Sequence, residues 1–343
     1  MNKSLFGSGF SWHLDRRVLK VLSILAFMTI SLMAISILKG EYTISPLEAF
    51  KTALSLDRSN PDYTFIINTL RLPRTVVAYL VGVGLAISGT ILQGLTRNSL
   101  ADPSIVGIDA GASLAAVTFI VIFPSAPLFA LPLSAFVGAL SVALVIYLFA
   151  WSQGSSPLRF ILIGIGLGAI AGALTSLMLT FGAIHDVTQA LIWLTGSVSG
   201  RSWEYVWLLV LWLIVLVPLS LGLAVELDAL NLGDDIARGL GSRVERQRGL
   251  LLLVSVALAA VSVAVAGTVS FVGLIAPHLG RQLVGPLHQG LIPTTAAIGG
   301  LIVVSADLLG RTLFAPIELP CGSIAAIVGA PYFLYLLIQN RKR

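Results

Sequence analysis

The sequence predicts an all-α integral membrane protein with about ten transmembrane helices. Hydrophobic residues make up 57% of the chain and charged residues only 11%. The mean hydropathy of +0.96 lies far outside the range of soluble globular domains. A transmembrane helix needs roughly 20 apolar residues. Eight stretches free of Asp, Glu, Lys and Arg approach or exceed that length, namely residues 21–38, 75–96, 110–158, 160–185, 205–225, 249–280, 282–306 and 319–340.

Two of these stretches are long enough for more than one helix. Prolines from Pro124 onward interrupt residues 110–158, which predicts a helical hairpin because proline ends or kinks a helix. Residues 249–280 would extend about 48 Å as a single helix, at about 1.5 Å per residue. We therefore expect a complete helix, a break at Gly267 and a shorter helix that ends near Pro277, which brings the count to ten spans.

The ten spans divide into related halves. Spans two to five and spans seven to ten form two blocks of four, offset by five, so the two blocks would have opposite topology. Inverted halves of this kind are a common build of transporters. We therefore expect one transmembrane domain over residues 1–343, with an inverted internal repeat.

Positive charge predicts how the chain is oriented. With ten spans both termini lie on one side of the membrane, and 14 of the 21 Lys and Arg residues fall on that side. Loops rich in Lys and Arg stay in the cytosol, so we expect residues 1–20 to form a cytosolic tail and residues 226–248 a cytosolic loop. No basic run is interleaved with aromatic residues, so nucleic acid is not an expected partner.

The loop at residues 226–248 is the one long polar interruption in the second half, and it contains a predicted short helix. Asn231 and Asp234 are spaced as an N-cap and a capping acid, while Gly239 and Gly241 would end the helix. Three apolar residues at intervals of four would form one stripe: Leu232, Ile236 and Leu240. Such a helix is either an ordinary surface helix between two spans or a docking site for the groove of a soluble partner.

Charged residues lie at the outer boundary of several spans. Arg71 and Arg74 precede span two, where they either extend to lipid head groups or form a cationic site for acidic groups of an external partner. Asp307 and Glu318 lie at the outer ends of spans nine and ten. A salt bridge with Arg311 is the expected role of at least one of these two acids.

Several other functions lack the residues they need. The sequence has no Gly-x-x-x-x-Gly-Lys-Ser/Thr segment, so we do not expect this chain to hydrolyse nucleotide by itself. His278 and His288 have no nearby carboxylates in the sequence, so we expect them to be structural or exposed rather than metal ligands. An ion-coupled secondary transporter is the main alternative and an intramembrane enzyme the next, both disfavoured because the charge-free stretches leave no acidic cluster within the spans.

An ordered set of motifs resembles the permease family of iron-siderophore, haem and cobalamin ABC importers, the FecCD-type permeases. The motifs cover about residues 70–335. They comprise residues 71–74, Ser88 with Gly89 and Gln93, residues 97–101, Gly107 with Gly111 and Ala112, Trp193 with Gly196 and Ser197, residues 232–241, residues 267–281, Ala306 with Asp307 and Arg311, and residues 318–333. Ser99 and Cys321 depart from the family pattern, which usually has proline and an aliphatic residue at these positions.

The resemblance implies a subunit that pairs with a second permease, identical or homologous, around a central pathway in the bacterial cytoplasmic (inner) membrane. It implies two ATP-binding subunits that use ATP and magnesium, while this chain itself binds no cofactor. The residues expected to couple to those subunits are Leu232, Gly233, Ile236, Ala237, Arg238, Leu240 and Gly241.

The resemblance also implies an external binding protein that delivers the substrate. Arg71, Arg74 and Arg311 would contact acidic residues of that protein. The expected cytosolic gates are two turns, represented by Asn98, Leu100, Ser152, Ser155 and Ser156. The expected cargo is a ferric-siderophore-type iron chelate, with cobalamin or haem as alternatives.

Overall fold

The structure, a computed structural model, describes residues 15–340 except residues 41, 57–59, 105–106, 125–129 and 151–156. Regular structure in this part of the chain is entirely helical, as the sequence predicts. Most of the predicted cytosolic tail at residues 1–20 lies outside the described residues, and helical structure begins at Arg16.

Fifteen α-helices and one π-helical segment fall within the described residues. In chain order they are α1 (Arg16–Leu38), α2 (Pro46–Ala53), α3 (Pro61–Thr64), the π-helical segment (Phe65–Arg71), α4 (Leu72–Thr96), α5 (Ile108–Ile122), α6 (Ala130–Ala150), α7 (Pro157–Phe181), α8 (Ile184–Leu194), α9 (Trp203–Gly222), α10 (Ala224–Leu232), α11 (Asp234–Gly239), α12 (Val244–Ala266), α13 (Val272–Val284), α14 (His288–Thr312) and α15 (Cys321–Asn340).

The helices agree with the predicted count of about ten spans. Eight of them contain a segment long and apolar enough to cross a membrane, in α1, α4, α6, α7, α9, α12, α14 and α15. Two shorter helices, α5 with 15 residues and α13 with 13, are packed among these eight. Within the described part of the chain, the eight long helices and these two shorter ones agree with a count of about ten.

Short helices between α1 and α4 begin at local signals in the sequence. Ser45 and Glu48 form a capping box at α2, where the Ser45 hydroxyl accepts from the Glu48 backbone N–H at 3.3 Å. Asn60 caps α3 by accepting from the Asp62 N–H at 3.0 Å. Proline occupies the first turn of each helix, where its missing N–H would have no partner anyway.

The long apolar stretch at residues 249–280 is broken where the sequence predicts. Gly267 follows α12 with a φ of 73°, a conformation that favours glycine. The expected end of the next helix near Pro277 is wrong, because α13 continues to Val284. The missing N–H of Pro277 frees the Gly273 carbonyl, and Gln93 Nε2 donates to that oxygen at 3.4 Å.

Helix α4 lies at the centre of the bundle and is buried along most of its length. Its glycines bring it against neighbouring backbones, since a Cβ on Gly82 would lie 2.2 Å from the Gly299 carbonyl oxygen of α14. The hydroxyls of Ser88 in α4 and Ser255 in α12 lie 2.9 Å apart. Small side chains thus allow the close helix contacts common in membrane proteins.

The bundle has two polar ends. One, which we call the α11 face, carries the end of α4, α10, α11 and the start of α12, since Arg97 contacts both Leu230 and Asp234. The other, which we call the Arg74 face, carries Arg74, Asp307 and Glu318. Helix α4 runs toward the α11 face and α12 runs away from it, which agrees with opposite topology of the two predicted halves.

Both ends of the described chain lie toward the α11 face. Arg17, in the first turn of α1, donates to the Gln282 carbonyl oxygen near the end of α13 at 3.1 Å. Helix α15 starts at the Arg74 face, where the Gly322 N–H donates to the Gly196 carbonyl oxygen at 2.9 Å, and runs toward the α11 face. This arrangement is the one expected of an even number of spans.

Candidate functional site

The predicted coupling helix consists of two helices, α10 and α11. Gly233 separates them with a φ of 125° and a ψ of 151°. The predicted N-cap at Asn231 is wrong, because Asn231 lies in the last turn of α10 and Gly233 occupies the N-cap position of α11 without a side-chain hydrogen bond. Residues with a side chain rarely adopt the positive φ of Gly233. This conformation interrupts the helix between Leu232 and Asp234.

The apolar stripe is exposed despite this break. Leu232, Ile236 and Leu240 have exposed fractions of 63%, 53% and 68%. Ala237 faces the other way and is fully buried, while Arg238 forms an exposed ion pair with Asp235 at 3.0 Å. Gly241, with a φ of 88°, lies just beyond α11 and turns the chain toward α12. The α11 face therefore presents three large apolar side chains in a polar surrounding.

Asp234 joins α11 to the ends of two long helices. Its carboxylate accepts from Arg97, just past the end of α4, and from Arg248 in α12, whose Nη2 lies 2.8 Å from Oδ1 and 2.9 Å from Oδ2. Burial raises the pKa of the Asp234 carboxyl, but the hydrogen bonds and charges of Arg248 and Arg97 outweigh it, and the net pKa is lowered. The sequence predicted Asp234 only as a capping acid.

A second polar contact attaches α10 to the start of α14. His288 is buried, and the Asp228 carboxylate of α10 lies 2.5 Å from its Nδ1 and 3.1 Å from its backbone nitrogen. The expectation that His288 has no nearby carboxylate is wrong, because folding brings Asp228 to it across 60 residues of sequence. The expected structural role of His288 agrees with this burial.

The turn after α4 is held by local hydrogen bonds. Arg97 ends the helix in a left-handed conformation, with a φ of 50°. The Asn98 side-chain oxygen accepts from the Leu100 N–H at 2.9 Å, and the Asn98 carbonyl oxygen accepts from the Ala101 N–H at 3.1 Å. The second predicted gate turn, with Ser152, Ser155 and Ser156, lies outside the described residues, so the gate role of both turns stays a prediction.

Two buried acids follow this turn, and the sequence reasoning missed them. Asp102 and Asp109 are 4% and 7% exposed. Asp102 Oδ1 accepts from the Ser104 N–H at 2.9 Å, but Asp102 Oδ2 and Asp109 Oδ1 have no hydrogen-bond partner among the described residues. Asp109 lies in the first turn of α5, just before the charge-free stretch at residues 110–158, so it is a buried acid at the end of a membrane helix rather than in its middle. The described residues contain no cluster of three or more His, Cys, Asp or Glu side chains that could hold a metal.

Two of the three predicted docking arginines are buried within the Arg74 face. Arg71 is 8% exposed and donates to the carbonyl oxygens of Ile37 at 2.9 Å and Tyr42 at 2.6 Å. Arg311 is 9% exposed and donates to the Lys39 carbonyl oxygen at 2.6 Å. Both arginines therefore fasten the end of α1 to the bundle, an arrangement that the sequence did not indicate.

Arg74 is the centre of the ion pairs at this face. Its Nη2 lies 2.8 Å from Asp307 Oδ1, and its Nη1 lies 3.0 Å from Glu318 Oε2. Arg311 Nε lies 3.5 Å from Asp307 Oδ2, which confirms the expected salt bridge for one of the two acids. Asp307 is only 3% exposed, but Glu318 is 45% exposed. The docking role of the three arginines stays a prediction.

Comparison with known proteins gives consistent matches over nearly the whole chain. The model of the FecCD transport family matches residues 28–339. The chain is 46% identical over 331 residues to the Fe(3+)-citrate import system permease protein YfmE of Bacillus subtilis, covering 96% of this chain and 98% of the relative. It is 43% identical over 335 residues to the achromobactin transport system permease protein CbrC of Dickeya dadantii, covering 97% and 95%.

A solved structure has the same fold. It is a metal-chelate type ABC transporter in an inward-facing conformation, and it matches with a TM-score of 0.84 at 30% sequence identity. The match covers 93% of this chain and 99% of that chain.

Proposed function

The chain belongs to the FecCD transport family, and we propose that it carries ferric chelates across a bacterial cytoplasmic membrane as the permease subunit of an ATP-driven importer. The observation that carries this proposal is the exposed apolar stripe on the α11 face, at the end of a bundle of membrane helices. A permease without a nucleotide-binding segment needs energy from another protein, and the stripe is a surface on which such a protein could dock.

Two ATP-binding subunits would dock on the α11 face. Leu232, Ile236 and Leu240 fit a hydrophobic groove, which is how amphipathic helices are commonly bound. Arg238 and Asp235 flank the stripe and would lie at the polar rim of the contact. ATP and magnesium would be used by these subunits, and the surplus of Lys and Arg on this side favours a cytosolic location for the α11 face.

A second permease would lie against α7 and α15. Among the described residues, none has an atom within 4 Å of a Cβ placed on Gly166 or Gly172 in α7, and Phe181 is 77% exposed. In α15, Ile327 and Val328 are 66% and 61% exposed. Glycines on an uncovered helix face allow another helix to approach closely. Two permeases that meet here, identical or homologous, would enclose the pathway between them.

An external binding protein would dock on the Arg74 face. Glu318 is 45% exposed, and an ion pair with so much exposure to solvent contributes little free energy. An acidic group of the binding protein could therefore replace Glu318 beside Arg74 at low cost. Arg71 and Arg311, which donate to backbone carbonyls, would hold the end of α1 in place beneath the contact.

The cargo is proposed to be a ferric chelate of the citrate or siderophore type, and the name of YfmE supports a ferric citrate cargo. Cobalamin and haem are the alternatives within the same class of importer. Such bulky cargoes suit a pathway lined by apolar and small side chains rather than by tightly binding charges.

An ion-coupled secondary transporter is the second candidate function, and one observation favours it. The buried and only partly bonded Asp102 and Asp109 are the kind of acids that bind a coupling ion or proton in such transporters. The exposed apolar stripe has no role in that mechanism.

The proposal is tested by purifying the complex under mild conditions and identifying what accompanies this chain. We expect P-loop ATP-binding subunits, bound in a fixed ratio. Replacing Leu232, Ile236 and Leu240 with Asp should release them, while Val225→Asp, which removes an exposed apolar residue of α10 outside the stripe, should not. Wild-type chain purified without such subunits would contradict the proposal.

A further inference from the structure

Helix α11 is attached to its neighbours in the chain through glycines. Gly233 before it and Gly241 after it have φ values of 125° and 88°. Apart from their chain neighbours, no atom of the described residues lies within 4 Å of a Cβ placed on either glycine. Such glycines allow α11 to change its orientation at little steric cost. The backbone alone would therefore transmit a movement of α11 poorly, so side-chain contacts must transmit it.

Side chains attach α11 to three elements. Ser242 Oγ donates to Glu226 Oε2 at 2.6 Å, which holds the far end of the α11 segment to α10. Arg248 of α12 donates to Asp234 at 2.8 Å. Arg97 donates to Asp234 as well, and its Nε also donates to the Leu230 carbonyl oxygen of α10 at 3.0 Å. One guanidinium therefore holds both α10 and α11.

Arg97 is also the first residue of the turn that contains Asn98 and Leu100. The Asn98 N–H donates to the Gln93 carbonyl oxygen at 3.2 Å, and the Leu100 N–H donates to the Asn98 side chain at 2.9 Å, so the turn is a compact unit. A displacement of Arg97 therefore displaces Asn98 directly. Arg248, by contrast, leads into the buried helix α12 and away from this turn.

We infer that the ion pair between Asp234 and Arg97 transmits the movement of α11 to the turn at Asn98 and Leu100, which makes both residues positioning residues of the transport cycle. This inference rests on the proposed function, because the force on α11 is that of the docked ATP-binding subunits. Arg97 and Asp234 are 35% and 29% exposed, so the pair adds little to stability. The pair matters because it connects α11 to the turn at Asn98 and Leu100.

The test uses the full complex with its ATP-binding subunits and a reporter cysteine at Leu100→Cys, in a background with Cys321→Ser. The labelling rate of this cysteine by a maleimide is compared with and without ATP and magnesium. In the otherwise unchanged chain we expect ATP to change the labelling rate. With Asp234→Asn or Arg97→Gln the ATP-dependent change should fall at least about fivefold, the range of typical coupling free energies, while the subunits remain bound and hydrolyse ATP.

Three further variants make the test specific. Glu245→Gln removes another carboxylate that pairs with Arg248, at 3.8 Å, but leaves the contact between Asp234 and Arg97 in place, and it should leave the ATP response unchanged. Asp234→Glu keeps the charge and should retain part of the response. The double variant of Asp234 and Arg97 should lose less than the sum of the two single losses. Both changes remove the contact between these residues, although Asp234 also contacts Arg248 and Arg97 also contacts the Leu230 carbonyl oxygen.

The possible failures can be told apart. If Asp234→Asn retains the full response, with the ATP-binding subunits bound, the inference is wrong and the proposed function stands. A loss in Glu245→Gln as large as the loss in Asp234→Asn would also overturn the inference. Additive losses in the double variant would also overturn it. If the wild-type chain binds no ATP-binding subunit, the proposed function itself fails, and the inference fails with it.

Discussion

Arg74 and Asp307 form an ion pair that joins the first turn of α4 to the end of α14 at the Arg74 face, across 233 residues of sequence. Arg74 Nε and Nη2 lie 3.0 Å and 2.8 Å from Asp307 Oδ1. Asp307 is 3% exposed, and its other oxygen lies 3.5 Å from Arg311 Nε. The acid is thus surrounded by two guanidinium groups, and the positive charge of the Arg74 face is largely compensated within the chain.

Asp307→Ala should strongly destabilise the purified chain. The change leaves Arg74, 14% exposed, without its main partner, and breaking a buried ion pair costs about 3 kcal/mol or more. Glu318→Ala removes a partner that is 45% exposed and should cost less than about 1 kcal/mol. Thermal unfolding in detergent measures both variants, and equal losses would show that the burial of Asp307 does not matter.

Asp228→Ala should loosen the attachment of α10 to α14. The Nδ1 and the backbone N–H of His288 would lose their acceptor at a position that is 1% exposed. A buried donor left without a partner costs about 1 to 3 kcal/mol. Asp235→Ala, at a fully exposed position, is the matched control. Protection of α10 and the start of α14 from hydrogen exchange should fall only in the first variant, and unchanged protection there would contradict the account.

Gly89→Ala should prevent normal folding. A Cβ on Gly89 would lie 1.9 Å from the Gly273 carbonyl oxygen, so α4 and α13 would have to separate. Gly222→Ala makes the same chemical change at the end of membrane helix α9, where no neighbouring atom of the described residues lies within 4 Å of the added Cβ. The amount of monodisperse protein extracted from membranes should be low for the first variant and near the wild-type amount for the second. Similar yields would argue against the close contact.

The pH dependence of stability should identify Asp234 as a carboxylate with a lowered pKa. A lowered pKa in the folded chain contributes stability above the ordinary Asp range, and that contribution is lost as the pH falls through the folded value. The difference in unfolding temperature between wild type and Asp234→Asn should be constant from about pH 8 to about pH 5 and shrink below about pH 4. A difference that grows on acidification would mean that the pKa is raised instead.

The membrane helices could be predicted because their signal is local. Long apolar stretches, the break at Gly267 and the exposed positions of Leu232, Ile236 and Leu240 all follow from short-range patterns. The expected assembly and its partners came from the resemblance to the family, because the spacing of apolar residues carries no information about them.

The contacts of the polar residues could not be predicted from local pattern. Asp228 and His288 are 60 residues apart, and the packing of α10 against α14 brings them together. Arg97 and Asp234 are 137 residues apart, and they meet because α11 lies beside the end of α4. The predicted N-cap at Asn231 is wrong because a cap there requires one helix over residues 232–241. The positive φ of Gly233 interrupts that helix. The burial of Asp102 likewise depends on the contact of its loop with Gly273.

The central claim is that this chain imports a ferric chelate with energy from ATP, and uptake into proteoliposomes tests it most directly. The complex, with its ATP-binding subunits and binding protein, would be reconstituted and supplied with citrate-bound or siderophore-bound iron-55. We predict that iron-55 accumulates only when ATP and magnesium are present on the side of the membrane that the α11 face contacts. This accumulation should persist when ionophores remove all ion gradients. Uptake that ignores ATP and collapses with the ion gradient would contradict the account and favour the secondary transporter.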